Sequence, residues 1–189
     1  LGRDIALESA AERWPGVLGS VQPYSGGDEV YENMMIYSWQ GVRTLEIGRI
    51  FREVWAQESG RLYTVLAGQI GGSHPFWDPS RDLLECPVAV GEEGIEPCGS
   101  LVDAFAVAPY VSEAPGEIEF SRSSPEQYLS DAISFVRGEG EWGIAAAEPG
   151  LRYSIRNDRA LAGQYGLPLV AYEGGQHFTG SRYTRDVIN

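Results

Sequence analysis

Three short apolar runs constrain the fold of this chain more strongly than any other feature. They are RLYTVLAGQ at residues 61–69, VDAFAVAPYV at 102–111 and LPLVAY at 167–172. Each combines β-branched, aliphatic and aromatic residues with little polar alternation, which is typical of strands that are buried on both faces. Helical periodicity separates the runs, and strands that alternate with helices predict an α/β fold with a parallel sheet.

The stretches between these strands carry helical signals. Apolar residues recur every three or four positions over residues 29–57, and further helices are predicted near 80–90 and at about 152–165. Ser124 and Pro125 form a helix start signal, because serine caps the first turn and proline is tolerated at its first position.

The predicted sheet is too small to stand alone, since three parallel strands leave both sheet edges unpaired. Residues 4–14 look like a helix that is already under way, and the last residues, 181–189, carry no helix stop. We therefore expect residues 1–189 to form a single segment of a larger α/β fold, truncated at both ends.

The net charge of the chain makes some classes of binding partner unfavourable. The chain has 27 acidic and 14 basic side chains and a formal net charge of -13. Such a surface repels phosphate backbones, so we expect no nucleic-acid partner. No apolar run approaches the roughly 20 residues of a membrane span, so we expect no membrane insertion. A neutral partner such as a sugar meets no electrostatic objection.

Two cysteines, Cys86 and Cys98, lie in one loop-like stretch. They could close a small disulfide loop, which would indicate an oxidising compartment, or they are two unrelated thiols. A zinc site is not expected, because the chain has only two histidines and neither is at ligand spacing from the cysteine pair.

Polar and aromatic residues follow all three predicted strands. In parallel α/β folds the carboxyl ends of the strands meet at one edge, where ligands bind. Glu173 directly follows the third run and precedes two glycines, which let a backbone or a ligand approach closely. A glutamate at a strand end is more often only solvated, and a tyrosine there can simply be a core residue. The candidate residues are Gln69, His74, Trp77, Tyr110, Glu173, Gln176 and His177.

Four segments of the chain resemble a known family. They are YSWQGVRTLEIGRIFREVW, LYTVLAGQ, VDAFAVAPY and YGLPLVAYEGGQH, which together cover most of residues 37–177. They are similar to a group of bacterial secreted proteins with a glycoside-hydrolase-type (β/α)8 barrel, often described as cellulose-binding proteins. The resemblance implies a partial (β/α)8 TIM barrel that holds about strands five to seven with their helices.

The resemblance also implies a reaction. Retaining glycosidases of this barrel type cleave β-linked glycans with two carboxyl groups, a nucleophile and an acid/base. Glu173 matches the nucleophile at the end of strand seven, and Tyr110 matches the tyrosine that hydrogen-bonds it. Carbohydrate is then the partner, no metal or organic cofactor is required, and the location is secreted or periplasmic. The expected substrate contacts are Gln69, Trp77, Gln176 and His177.

The acid/base glutamate is missing from its expected place. The family carries it in an Asn-Glu pair after a strand, and this sequence has no Asn-Glu pair. Glu29 and Glu32 are the nearest candidates, but they fall at the start of the long predicted helix, so we expect the acid/base upstream of residue 1. Two other functions stay open: a non-catalytic carbohydrate-binding or cellulose-binding barrel, and a structural cell-surface component.

Overall fold

A computed structural model describes residues 28–70, 78–90, 94–112, 124–140, 143 and 150–177. The helices in these ranges are α1 (Asp28–Val54), α2 (Pro79–Glu85), α3 (Pro125–Arg137) and α4 (Leu151–Gln164). The strands are β1 (Val65–Ala67), β2 (Pro87–Val90), β3 (Gly94–Pro97), β4 (Ala104–Val107), β5 (Tyr110–Ser112), β6 (Leu169–Ala171) and β7 (Gly175–His177). Two 3₁₀ turns, Ala56–Arg61 and Cys98–Leu101, complete the regular structure of this part of the chain.

The central element is a three-stranded parallel sheet in the order β1-β4-β6. Its register pairs Leu66 with Phe105, and Phe105 with Leu169, so these three side chains lie on one face. Helix α2 and the β2–β3 hairpin lie between β1 and β4 in sequence, and α3 and α4 lie between β4 and β6. The predicted α/β fold with parallel strands is confirmed at this level. The described residues do not form a closed barrel.

The core is built on the face of the sheet that carries Leu66 and Phe105. It joins the sheet to α1, α2 and α4, and burying a side chain of leucine or phenylalanine size contributes about 1.5–3 kcal/mol. These helices therefore stay on the sheet mainly through apolar burial. The buried members of the core are Val42, Leu66, Leu83, Leu84, Cys86, Cys98, Val102, Phe105, Val107, Leu161 and Ala162.

Cys86 and Cys98 form a disulfide within this core. Both are fully buried, and the Cys98 N–H donates to the Cys86 carbonyl at 2.8 Å. The bond closes the base of the antiparallel β2–β3 hairpin. Gly41 of α1 packs against it so closely that a β-carbon there would lie 2.6 Å from Cys86 Sγ. A residue without a side chain is therefore required where α1 passes the disulfide.

Helix α1 has 27 residues and is tied to the sheet by polar contacts as well. Arg49 and Glu53 form an ion pair one turn apart on its surface, and Arg52 reaches Asp103 at 2.9 Å. Asp103 also accepts the N–H of Thr64 at 2.7 Å, which anchors the chain just before β1. No helix in the described ranges is both long and apolar enough to cross a membrane.

Helix α3 begins and ends at local capping signals. Ser124 Oγ accepts the N–H of Gln127 at 3.3 Å, and Pro125 follows it, as the start signal predicts. The helix ends at Gly138, whose φ of 65° lies in the left-handed region. Glycine occupies that region without the steric cost that a side chain adds.

The strands differ from the predicted runs in three ways. The run at 102–111 is not one strand, because Pro109 interrupts it and Tyr110 begins β5 in a second sheet with β7. The prediction of strands buried on both faces is wrong for β6, whose Val170 is exposed at the edge of the sheet. The β2–β3 hairpin and β7 are not predicted from the sequence; the helix predicted near 80–90 ends at Glu85, and residues 87–90 form β2 instead.

Candidate functional site

The carboxyl ends of β1, β4 and β6 form one edge of the parallel sheet. The small β5–β7 sheet continues from that edge, with Tyr110 opposite Gly175. Glu173 lies between β6 and β7, so both candidate catalytic residues are found there. Residues 68–70, 108–112 and 172–177 are called the carboxyl edge below.

Two stretches of chain meet at the carboxyl edge, one running from β4 to β5 and the other from β6 to β7. Their pairing register shifts by one residue between the first sheet and the second. Val107 pairs with Ala171 in the first sheet, and Tyr110 pairs with Gly175 in the second. Between these two pairs the stretch from β4 to β5 has two residues, 108 and 109, whereas the stretch from β6 to β7 has three, 172–174. The extra residue makes a bulge, which is a device that redirects side chains next to many active sites.

Pro109 explains where the register changes. The N–H groups of alternate residues in β4 point toward β6, and that of Phe105 donates to the Pro168 carbonyl at 3.1 Å. Position 109 is four residues further on, so an N–H there would also point toward this partner. Proline has no N–H, so the ladder cannot continue there. The Tyr110 N–H donates instead to the Ala108 carbonyl at 2.9 Å, which closes a tight turn around the proline.

Gly174 and Gly175 allow the stretch from β6 to β7 to pass beside this turn. A β-carbon at Gly174 would lie 3.2 Å from the Pro109 carbonyl oxygen and 3.3 Å from its Cγ. Gly175 has a φ of 122°, which residues with side chains rarely adopt. Gly174 therefore permits a close approach to Pro109, whereas Gly175 permits a positive φ.

The Tyr110 hydroxyl donates a hydrogen bond to the Glu173 carboxylate. This bond is the main reason that the pKa of Tyr110 lies above its ordinary value of 10.0, with burial and the charge of Glu173 adding to it. Tyr110 therefore stays protonated at neutral pH and remains a donor. Glu173 is exposed and Tyr110 is half-buried, so the carboxylate is held on one side and open to a ligand on the other.

Two further tyrosines lie near this pair. Tyr172 is close enough to raise the pKa of Tyr110 and that of Tyr37 in α1. Burial is the largest cause of the raised pKa of Tyr37, followed by the charge of Asp82. No sequence pattern singles out Tyr37, because helical periodicity does not show which helix residues lie near the strand ends.

Gln69 lies at the carboxyl edge, two residues after β1. Its side chain is exposed, and the Gly68 N–H before it donates to the Ala106 carbonyl at 2.9 Å. Gln40 of α1 donates from Nε2 to the carbonyl of Ala67 at 2.8 Å and so satisfies the last residue of β1. Gln69 therefore shares this edge with Tyr110, as the sequence predicts.

The remaining candidate residues stay predictions. Gln176 and His177 belong to β7, so their backbone lies at the carboxyl edge, but their side chains are outside what the structure describes. His74 and Trp77 lie outside the described residues altogether.

The carboxyl edge offers one carboxylate with a fixed donor. Glu29 and Glu32 lie in the first turns of α1, as predicted. In the described part of the chain, Glu173 is the one carboxylate that raises the pKa of Tyr110. The described residues also contain no group of three or more side chains suited to hold a metal ion.

Protein-family models, curated proteins and solved structures contain no match to the chain.

Proposed function

We propose that the chain is part of a retaining glycoside hydrolase that cleaves β-linked glycans, with Glu173 as the nucleophile. One observation carries the proposal: the Tyr110 hydroxyl donates to the Glu173 carboxylate at the carboxyl edge of a parallel sheet. Ligands of α/β folds bind at such edges, and an exposed carboxylate held by a tyrosine is suited to attack on a sugar.

The proposed scaffold is a partial (β/α)8 barrel that holds about strands five to seven. Strands β1, β4 and β6 are neighbours in the sheet in chain order, which is the order of consecutive barrel strands. Helices lie between them in the sequence, as in a barrel. Both outer strands, β1 and β6, have only one partner in the described sheet, which leaves room for barrel neighbours.

In the proposed reaction an ionised oxygen of Glu173 attacks the anomeric carbon, and the bond from that carbon to the leaving oxygen breaks. A second carboxyl group, about 5–5.5 Å from the Glu173 carboxylate, protonates the leaving oxygen. Water then cleaves the glycosyl ester and gives its proton to that second group. The second carboxyl group is proposed to come from outside this chain, and Tyr110 keeps the nucleophile oriented and ionised.

The substrate contacts are proposed from their position along the same edge. Gln69 is exposed there, and the backbone of β7 brings Gln176 and His177 to it. Trp77 stays a proposed contact from the sequence. The Cys86–Cys98 disulfide supports a secreted or periplasmic location, because such bonds persist in oxidising compartments.

Glu173→Gln in the full-length protein tests the nucleophile. The amide cannot form the glycosyl ester, so we expect cleavage of β-linked oligosaccharides to fall by about 10³-fold or more. Release of reducing ends measures cleavage, and far-UV circular dichroism checks folding. Glu96→Gln is the matched control, because Glu96 is an exposed carboxylate of the β2–β3 hairpin. Normal turnover by Glu173→Gln would rule out the proposed role.

A non-catalytic carbohydrate-binding barrel is the second candidate function. It is favoured by the single carboxylate at Tyr110, because binding needs polar and aromatic groups but no proton donor. Titration calorimetry with β-linked oligosaccharides, followed by product analysis, separates the two. A binding protein takes up the sugar and returns it intact, an enzyme returns shorter products, and a structural surface component takes up none.

A further inference from the structure

The bulge at residues 172–174 depends on one close contact. A β-carbon at Gly174 would lie 3.2 Å from the Pro109 carbonyl oxygen, 3.3 Å from its Cγ and 3.4 Å from its Cδ. A separation between 3.0 and 3.4 Å is tighter than nine in ten real β-carbon contacts, so a side chain at position 174 requires the neighbour to move by a few tenths of an ångström. Glycine at position 174 therefore lets the two stretches approach this closely without such a shift.

Both members of this contact are covalent neighbours of the proposed reacting pair. Pro109 immediately precedes Tyr110, and Gly174 immediately follows Glu173. Paired strands fix the two stretches before and after this point. The contact therefore sets their separation where the hydroxyl and the carboxylate leave the backbone.

We propose that Gly174 is a positioning residue, whose contact with Pro109 holds the Glu173 carboxylate on the Tyr110 hydroxyl. The contact involves only backbone and proline ring atoms. It does not cover the Glu173 side chain, which is exposed to a ligand. The hydrogen-bond part of the proposal stands on the structure alone, and its kinetic part rests on the proposed function.

Gly174→Ala tests the hydrogen bond directly. With tyrosine labelled by ¹³C at Cζ, NMR titration follows each phenol, and Tyr110→Phe assigns the signal of residue 110. In the wild type we expect this tyrosine to titrate above 10.0, as its contact with Glu173 requires. In Gly174→Ala we expect its pKa to move back toward 10.0, and we expect the same shift in Glu173→Gln.

The kinetic test separates positioning from stability. Misplacing a reacting group by about 1 Å can cost on the order of 10²-fold in rate, so we expect kcat of Gly174→Ala to fall by about 10- to 100-fold with KM little changed. Gly60→Ala is the matched control, since Gly60 has no atom within 4 Å of its added β-carbon and lies in the turn that precedes β1. That control should keep wild-type kcat and the wild-type Tyr110 titration.

Pro109→Ala removes part of the same contact without adding a side chain at position 174, and it replaces the first variant where Gly174→Ala does not fold. It removes Cγ and Cδ, two of the three atoms that Gly174 meets. A Tyr110 titration unchanged from the wild type in either folded variant would overturn the proposal. Loss of the raised pKa in a protein that cleaves no sugar would instead keep the positioning role and reject only the proposed reaction.

Discussion

Tyr110 can donate to Glu173 only while it holds its proton, and its surroundings favour that state. The hydrogen bond to Glu173 comes first, and burial and neighbouring charge also raise the pKa of Tyr110. Because its pKa is higher in the folded state, the contact contributes fully at and below the unfolded value of about 10. The contribution is lost only as the pH rises through the raised pKa, so the pair is intact throughout the neutral range.

Tyr110→Phe keeps the ring and removes the donor. A hydrogen bond to a charged group contributes roughly 1.5–3 kcal/mol, which corresponds to about a 10- to 150-fold change in rate if it acts in the transition state. We expect kcat/KM for β-linked oligosaccharides to fall by that factor at pH 7. Tyr63→Phe is the control, because Tyr63 is 62% exposed and lies before β1, at the other end of the strand. Wild-type kcat/KM in Tyr110→Phe would contradict the role.

At the scale of single residues, the sequence predicts which residues lie at the carboxyl edge but not which of their side chains contact each other. The apolar run before Glu173 and the glycines after it are local signals, and the structure uses both. The contact with Tyr110 depends on a register change at Pro109, and register is decided by pairing between stretches 60 or more residues apart in sequence. No pattern within either stretch contains that information.

At the scale of elements, helices follow the sequence more closely than strands do. Their ends are set by neighbouring residues, so the caps of α3 and the left-handed Gly166 after α4, with a φ of 70°, agree with the predicted boundaries. Strand ends depend on partners far along the chain, and β1 occupies only three residues of the run at 61–69. The β2–β3 hairpin, rich in proline and acidic residues, lacks the alternation that indicates a strand.

Gly150, which caps the start of α4, and Gly163, which lies within α4, should change the stability in opposite directions when they are replaced by alanine. A β-carbon at Gly150 would lie 2.1 Å from the Phe135 carbonyl oxygen, so Gly150→Ala should lower the free energy of unfolding by about 1–3 kcal/mol through overpacking. Gly163 has nothing within 4 Å, so Gly163→Ala should raise it by about 0.5–1 kcal/mol through helix propensity. Urea unfolding followed by circular dichroism measures both, and a shift in the same direction would contradict this packing.

At the scale of the whole molecule, apolar surface remains exposed in the described part of the chain. Ile47, Ile50, Phe51 and Val54 lie along one side of α1, while the residues that join the core lie on another side of the same helix. The sequence shows a helix that is apolar over a wide arc, but periodicity alone does not tell which side packs on the sheet. The proposed barrel would account for this wide apolar arc, because a helix on the outside of a barrel packs on the sheet and beside other helices.

The disulfide lies where the hairpin, α1 and the core meet, so its loss should lower the free energy of unfolding of the whole molecule. A bond across a sequence separation of 12 contributes about 3 kcal/mol, chiefly by restricting the unfolded chain. We expect the double variant Cys86→Ala/Cys98→Ala to lose about that much free energy of unfolding in urea. Reductant should lower the stability of the wild type in the same way and leave the double variant unchanged, because the variant has no bond to reduce.

A thiol assay provides the direct measurement for the same bond. In unfolded, non-reduced wild-type protein we expect no reactive thiol, since the chain has two cysteines and both are in the bond. Gly41→Ala adds a second test, because its β-carbon would lie 2.6 Å from Cys86 Sγ and 3.0 Å from Cys98 Sγ. It should destabilise the oxidised protein by about 1–3 kcal/mol through overpacking. Two reactive thiols, together with unchanged stability of Gly41→Ala, would mean that α1 does not pack on a disulfide at all.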